Sequence, residues 1–294
     1  LTAVVYKNKN IMKSMQKRMC IRLLTLIFLP AFLQANDFKI GLALSGGGAR
    51  GIAHIGAIIA LEEEKIPIDL VAGTSMGSIV GGLYASGYSG QEMRELVAEI
   101  DWQNIFSERP ASSAIHLSDT LGIADPCLSL WFKPWEISFP TGLINAQQVT
   151  ELLFQLTAEA NYRAKMNFDS LRVPFRSVAV DITDGNLVVL GKGSLSEAMH
   201  ASMAIPLIFD PARLKEQLLV DGGVLEVLPT RVVRDMGADL IIAVELEKMA
   251  DLGTPPKNIL DIGMHTFAIM INEMKQEQLR LADVLILPPL GDHD

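Results

Sequence analysis

From Lys39 onward, short unbroken apolar runs alternate with longer stretches in which apolar residues recur every three or four positions. KIGLAL (39–44) runs into a glycine cluster and predicts a strand buried on both faces. ARGIAHIGAIIALEEE (49–64) sets Ile52, Ile55 and Ile59 on one face of a helix. IDLVAG (68–73) predicts a second strand, and MGSIVGGLYASG (76–87) a second helix, rich in small residues. Strands are also predicted at VPFRSVAVDI (173–182), NLVVL (186–190), QLLV (217–220), DLIIAVEL (239–246) and DVLILP (283–288). Helical spacing returns around 91–100, 146–160, 195–203, 229–236 and 258–280. Strands separated by helices imply a mostly parallel sheet with helices on both faces, in one domain spanning 37–294.

One region breaks the pattern. Residues 101–145 hold all three tryptophans (Trp102, Trp131, Trp135) and several prolines, with little periodicity. Such a stretch is either a lid or binding loop, or ordinary core and connection. Tryptophan favours the boundary between apolar and polar surroundings, so Trp131, Phe132 and Trp135 are the residues expected at such an interface.

Charge changes the picture at the N-terminus. The net charge is -9, but residues 1–35 hold six basic residues (Lys7, Lys9, Lys13, Lys17, Arg18, Arg22) and no acid. Of 25 basic and 34 acidic residues, the rest of the chain therefore keeps 19 against 34. A body so acidic is a poor partner for nucleic acid. The basic head precedes an apolar run at 23–33 and the small residue Ala35, followed by polar Asn36. This is the layout of a signal peptide over 1–35, with the residues before Met12 or Met15 as extra upstream sequence. The run is shorter than the roughly 20 residues of a membrane span. Export to the periplasm, the outer membrane or the medium is therefore expected. Cleavage would leave Cys127 as the one cysteine, so neither an internal disulfide nor a cysteine-based metal cluster is expected.

Three motifs carry chemistry. GGGARG fits G-x-G-x-x-G with Gly46, Gly48 and Gly51. Glycines let consecutive backbone amides turn toward one point, and the helix that follows adds partial positive charge. The loop is an anion cradle. No Gly-Lys-Ser/Thr follows it, which excludes a Walker A loop. A dinucleotide site remains open, with Asp69 as the acid about 20 residues on. GTSMG (73–77) fits G-x-S-x-G between a strand and a helix, where Gly73 and Gly77 spare Ser75 a clash on a sharp turn and leave it exposed. Among bases for Ser75, His54, His116, His200, His265 and His293 all lie in unpromising contexts, His265 being the one candidate for a histidine-based esterase. LLVDGGV (218–224) supplies another base: Asp221 ends a strand before Gly222 and Gly223.

The ordered set GGGARG, GTSMG and DGG, with AMHASMAIPLIFDP (198–211), resembles the patatin-like phospholipases over about 39–246. The resemblance implies a three-layer α/β/α sandwich with a mostly parallel central sheet. It also implies lipid acyl hydrolysis by a serine–aspartate dyad, without a cofactor or metal. It makes Ser75 the nucleophile, Asp221 the base, and Gly46, Gly47 and Gly48 with Arg50 the oxyanion hole. A lipid ester substrate and contact with a membrane surface are the implied partners. With its basic head, the chain is similar to exported members in which a periplasmic module and an outer-membrane barrel follow the catalytic domain. Glu226 and Val227 stand where that family commonly has asparagines, which leaves the support of the Asp221 loop an open question.

Overall fold

The computed structural model describes residues 4–7, 38–101, 131–133, 136–138, 146–246, 255–257 and 259–290. The apolar run at 23–33, Trp102, Trp135, Cys127, His116 and His293 lie outside them.

Among the described residues, nine strands form one sheet. They are β1 (Val4–Lys7), β2 (Ile40–Leu44), β3 (Leu70–Thr74), β6 (Phe175–Asp181), β7 (Asn186–Leu190), β8 (Ala212–Leu214), β9 (Gln217–Asp221), β10 (Leu240–Val244) and β11 (Val284–Leu287). A separate hairpin pairs β4 (Trp131–Lys133) with β5 (Glu136–Ser138). The centre of the sheet runs β11-β10-β2-β3-β6, all parallel. The outer strands β1, β7, β8 and β9 join antiparallel.

The helices are α1 (Ala53–Glu63), α2 (Met76–Ser86), α3 (Gly90–Glu99), α4 (Gln147–Arg163), α5 (Leu195–Met203), α6 (Thr230–Asp235) and α7 (Ile259–Arg280). None of the described helices is long and apolar enough to cross a membrane.

Alternation along the central strands explains the layering. Leu42 and Leu44 of β2, Val71 of β3 and Ile242 and Val244 of β10 enter one cluster with Ile55, Ile58, Leu83, Leu153 and Met199 from α1, α2, α4 and α5. The intervening residues Ala43, Leu70, Ala72, Ile241 and Ala243 enter another with Val232 and Val233 of α6 and Ile271 of α7. Both faces of each strand are therefore buried, which is why the strands read as unbroken apolar runs. Small residues dominate the second face, and α6 lies close: a Cβ on Gly41 would sit 2.2 Å from a Val233 methyl carbon. Phe168 and Phe175 are fully buried in the first cluster, each contributing roughly 2–3 kcal/mol by burial.

Three local differences from the sequence expectations have simple causes. Residues Gly48–Ile52 form a 3-10 turn before α1, because Gly48 takes φ +55. The buried face of α1 is His54, Ile55, Ala57, Ile58 and Leu61, with Ile52 and Ile59 only at its margin. Strand β8 was not anticipated: its three residues are too few to show a period.

The registers around β6 bring two chain ends together. Ser177 and Val178 pair with both β3 and β7, so these strands lie on opposite edges of β6. Ala179 to Asp181 pair with both β7 and β9, so β9 lies on the same edge as β3. Strand β3 ends with Thr74 opposite Val178, and β9, running the other way, ends with Asp221 opposite Ala179. The C-terminal ends of β3 and β9 therefore meet head to head beside two consecutive residues of β6.

Candidate active site

Ser75 follows β3 and precedes α2 with φ +55 and ψ -126, a left-handed conformation that costs a non-glycine residue roughly 1–3 kcal/mol. Its neighbours hold it there. A Cβ on Gly73 would lie 2.2 Å from the Gly77 carbonyl oxygen, and one on Gly77 2.4 Å from that of Leu44. The Ser78 amide donates to the Ser75 carbonyl at 2.8 Å, starting α2. On the other side, the Ser75 N–H donates to Ser202 Oγ at 2.9 Å, and Ser202 Oγ donates to the Val178 carbonyl at 2.5 Å. A second hydroxyl chain runs beside it, from Ser78 through Ser177 to the Ala198 carbonyl. Helix α5 is thus tied to the Ser75 turn through serine hydroxyls. Ser75 is not exposed as the motif suggests: it is only 5% accessible, because the glycine loop, α5 and the Asp221 turn converge on it.

Asp221 ends β9 and caps the 3-10 turn Gly222–Val224, its Oδ1 accepting the Gly223 N–H at 2.7 Å. Its own N–H donates to the Ala204 carbonyl at 2.9 Å. Gly222 has no room for a side chain, with the Val178 carbonyl oxygen 2.4 Å from a would-be Cβ. Burial pushes the Asp221 carboxyl up to about 6, against the opposing pull of hydrogen bonds from the Ser75 hydroxyl and the Gly223 amide. The serine hydroxyl therefore lies within interacting reach of the buried carboxyl.

The glycine loop lies against the same turn. A Cβ on Gly46 would be 3.4 Å from Ser75 Cβ, one on Gly51 2.2 Å from Met76 and one on Gly47 2.4 Å from Leu246. The Gly46 N–H donates to the Val227 carbonyl at 2.8 Å. Arg50 sits in the 3-10 turn, partly buried. His54 Nε2 donates to the Ser45 carbonyl at 2.8 Å, and burial drives the imidazole down to about 4, so it is neutral. It braces the loop's start.

The segment after Asp221 binds these parts together. Besides the Gly46–Val227 bond, Thr74 Oγ1 donates to the Glu226 carbonyl at 2.8 Å. Both contacts use backbone carbonyls, so side chains other than asparagine at 226 and 227 do not weaken them. Glu226 itself is buried and its carboxyl is pushed up to about 7.

Asp69 stands at the far end of β3 from Ser75. Its Oδ2 accepts the Ile40 N–H at 2.8 Å and its N–H donates to the Ile40 carbonyl at 2.8 Å. A dinucleotide's ribose ligand would have to lie near the glycine loop, and Asp69 does not. His200 lines a different cavity of about 350 Å³ with Thr150, Glu197, Asp210 and Arg213. His265 is on α7, and the partners of the Asp221 carboxylate are Ser75 and Gly223. Among the described residues, no group of three or more His, Cys, Asp or Glu is placed to hold a metal ion.

Ser202, Thr74, His54 and the Val227 carbonyl are parts of the site that motif spacing did not reveal. Ser202 lies within the 198–211 segment, but nothing in its neighbours singles out its hydroxyl.

The patatin-like phospholipase family model matches residues 42–234. An uncharacterized NTE family protein of Mycobacterium tuberculosis is 31% identical over 258 residues, 87% of this chain and 61% of that protein. Patatin-like phospholipase domain-containing protein 6 of Homo sapiens is 32% identical over 221 residues, 73% of this chain and 14% of that protein. Lysophospholipase NTE1 of Scheffersomyces stipitis is 30% identical over 221 residues, 75% of this chain and 12% of that protein. The chain thus spans less than two thirds of each of these relatives. Among solved structures, VipD from Legionella pneumophila aligns with a TM-score of 0.44 and 15% identity, covering 77% of this chain and 52% of that one. That likeness is too remote to add weight. The family model and the mycobacterial relative place the match across the glycine loop, the Ser75 turn and the Asp221 turn alike, and the chain belongs to the patatin-like phospholipase family.

Proposed function

We propose that this chain is a lipid acyl hydrolase of the phospholipase A or lysophospholipase type, cleaving carboxylic esters through Ser75 and Asp221. The observation that carries the reading is the meeting of the β3 and β9 ends, which sets the buried Ser75 beside the buried carboxyl of Asp221, whose pKa burial raises. Membership of the family and the named phospholipase and lysophospholipase relatives support the substrate class.

Asp221 takes the Ser75 proton as Oγ attacks the ester carbonyl carbon. The carbonyl π electrons move onto oxygen, and the Gly47 and Gly48 amides face that oxyanion, with the start of α2 adding partial positive charge. Gly46 serves differently, since its N–H is committed to Val227. Each such donor contributes about 3–4 kcal/mol to lowering the barrier. Collapse of the intermediate breaks the bond to the alcohol, which leaves with the proton held by Asp221. Water, deprotonated by the same carboxylate, then cleaves the acyl-enzyme and restores Ser75.

Ser75→Ala and Asp221→Ala should each lower ester hydrolysis by at least about a thousandfold while the circular dichroism spectrum stays unchanged. A fluorophosphonate should label Ser75 in the natural chain. Retained hydrolysis in either folded variant defeats the dyad.

Export belongs to the same proposal. Mass spectrometry of the mature chain should find Asn36 at the N-terminus, and finding Met12 or Met15 there rejects cleavage.

A further inference from the structure

The dyad depends on two segments held by neither a strand nor an α-helix of their own, each with one 3-10 turn: the glycine loop and the segment from Gly222 to Pro229. What holds the second lies some fifty residues further on. Gln278, on α7, is only 5% accessible, and both ends of its amide are used. Its Oε1 accepts the Leu228 N–H at 2.9 Å and its Nε2 donates to the Leu225 carbonyl at 3.0 Å. Its backbone carbonyl accepts the Thr230 hydroxyl at 2.7 Å. One side chain therefore spans Leu225 to Leu228, and between those anchors lie the Glu226 and Val227 carbonyls that receive Thr74 and Gly46.

The same helix stripe reaches the other parts of the site. Ile271, Lys275 and Gln278 are spaced four and three residues apart, so they share one face of α7, and all three are buried. Ile271 Cδ1 lies 3.9 Å from the Cβ position of Gly223, whose amide holds Asp221. Lys275 Nζ pairs with Glu245 Oε1 at 2.7 Å, and the next residue, Leu246, packs against Gly47. A single helical face thus backs the base's turn, the glycine loop's buttress and the strap between them. Residue 278 lies beyond the stretch 42–234 that the family model matches.

We infer that Gln278 is a positioning residue for the hydrolytic site, holding the 222–230 strap so that Asp221 and the glycine loop stay in register with Ser75. The inference rests on the reading of Ser75 and Asp221 as the dyad. A buried glutamine spanning two backbone groups is suited to this. Its amide is uncharged, so it leaves the charge at the dyad unaltered, and it satisfies the buried Leu228 N–H while also tying down the Leu225 carbonyl.

The test uses the full chain, a short-chain p-nitrophenyl ester as substrate, and a fluorophosphonate to titrate and time the acylation of Ser75. Gln278→Met keeps the volume and removes both hydrogen bonds. It should lower kcat per titrated site by about tenfold, with KM within about twofold, because displacement of a catalytic group costs rate more than binding. The rate constant for labelling should fall in parallel. Gln278→Glu, which retains the acceptor for Leu228 but not the donor to Leu225, should fall between the two. If Gln278→Met does not fold, Gln278→Glu and Thr230→Val serve in its place, each expected to slow labelling several-fold. Folded variants with natural kcat per site and natural labelling rate overturn the inference. So does a loss confined to the number of titratable sites, since that reports stability alone. Failure of the fluorophosphonate to label Ser75 in the natural chain would overturn the dyad reading instead.

Discussion

An aspartate at its ordinary pKa is a weak proton acceptor for a serine hydroxyl, and burial of Asp221 moves it toward usefulness, to about 6. Two consequences follow with opposite signs. With Asp221 as the proposed base, activity requires the ionised carboxylate, so kcat/KM should fall as pH drops through about 6, leaving an acid limb in the pH–rate profile. Stability runs the other way. The folded pKa lies above the unfolded 3.8, so between these values the native state keeps a proton that the unfolded chain has released. Stability from this group is therefore full below about pH 4 and is lost as pH rises to 6, with a cost at neutral pH of up to roughly 3 kcal/mol. Asp221→Asn should be inactive yet melt higher than the natural chain at pH 7–8, with the difference vanishing near pH 4. Equal melting temperatures across that range would show that Asp221 is not held under strain. Buried Glu226, pushed up to about 7, has the same sign and adds to the decline toward alkaline pH.

Among the elements, glycines show how local sequence and tertiary contact divide the work. Gly77 opens α2 against β2, and a Cβ there would lie 2.4 and 2.5 Å from the Leu44 and Ser45 carbonyl oxygens. Backbone atoms of the central strand cannot move aside. Gly77→Ala should therefore destabilise by more than about 3 kcal/mol, with little soluble protein recovered. Gly56, midway along α1, is exposed and a Cβ would meet nothing within 4 Å. Gly56→Ala should raise stability by about 0.5–1 kcal/mol through helix propensity alone, as denaturant titration would report. The G-x-S-x-G spacing made Gly77 legible in the sequence, and the strand-to-helix context confirmed why it is small. Nothing local distinguished the tolerant Gly56 from the intolerant Gly41, because the atoms that crowd Gly41 come from the distant Val233. Element boundaries were legible where apolar runs were long, as in β6 and α5, and illegible for three-residue β8.

At the scale of the whole molecule, α7 is fastened to the sheet by a buried ion pair between Lys275 and Glu245 at 2.7 Å. Removing one partner of a buried pair leaves the other charge poorly compensated. Lys275→Met should cost about 3–5 kcal/mol, and combining it with Glu245→Leu should recover most of that loss. Chemical denaturation of the single and double variants checks this, and a double variant no more stable than the single one would reject it.

By itself, the sequence determined the alternation of strand and helix, the glycine loop, the turn bearing Ser75 and the strand end bearing Asp221, because each is written in short-range spacing. The glycine loop's own residues do not say whether it serves a nucleotide or an acyl group, since an anion cradle uses the same amides for both, and it was the accompanying GTSMG and DGG motifs that pointed to acyl transfer. The tertiary structure drew those pieces together. The C-terminal ends of β3 and β9 meet along one edge of β6, which brings Ser75 and Asp221 together across 145 intervening positions, and Asp69 is left at the far end of its strand. Ser202, the Val227 carbonyl and Gln278 enter only at this level. Their parts depend on which distant backbone groups would otherwise be buried without a partner, and no local pattern records that.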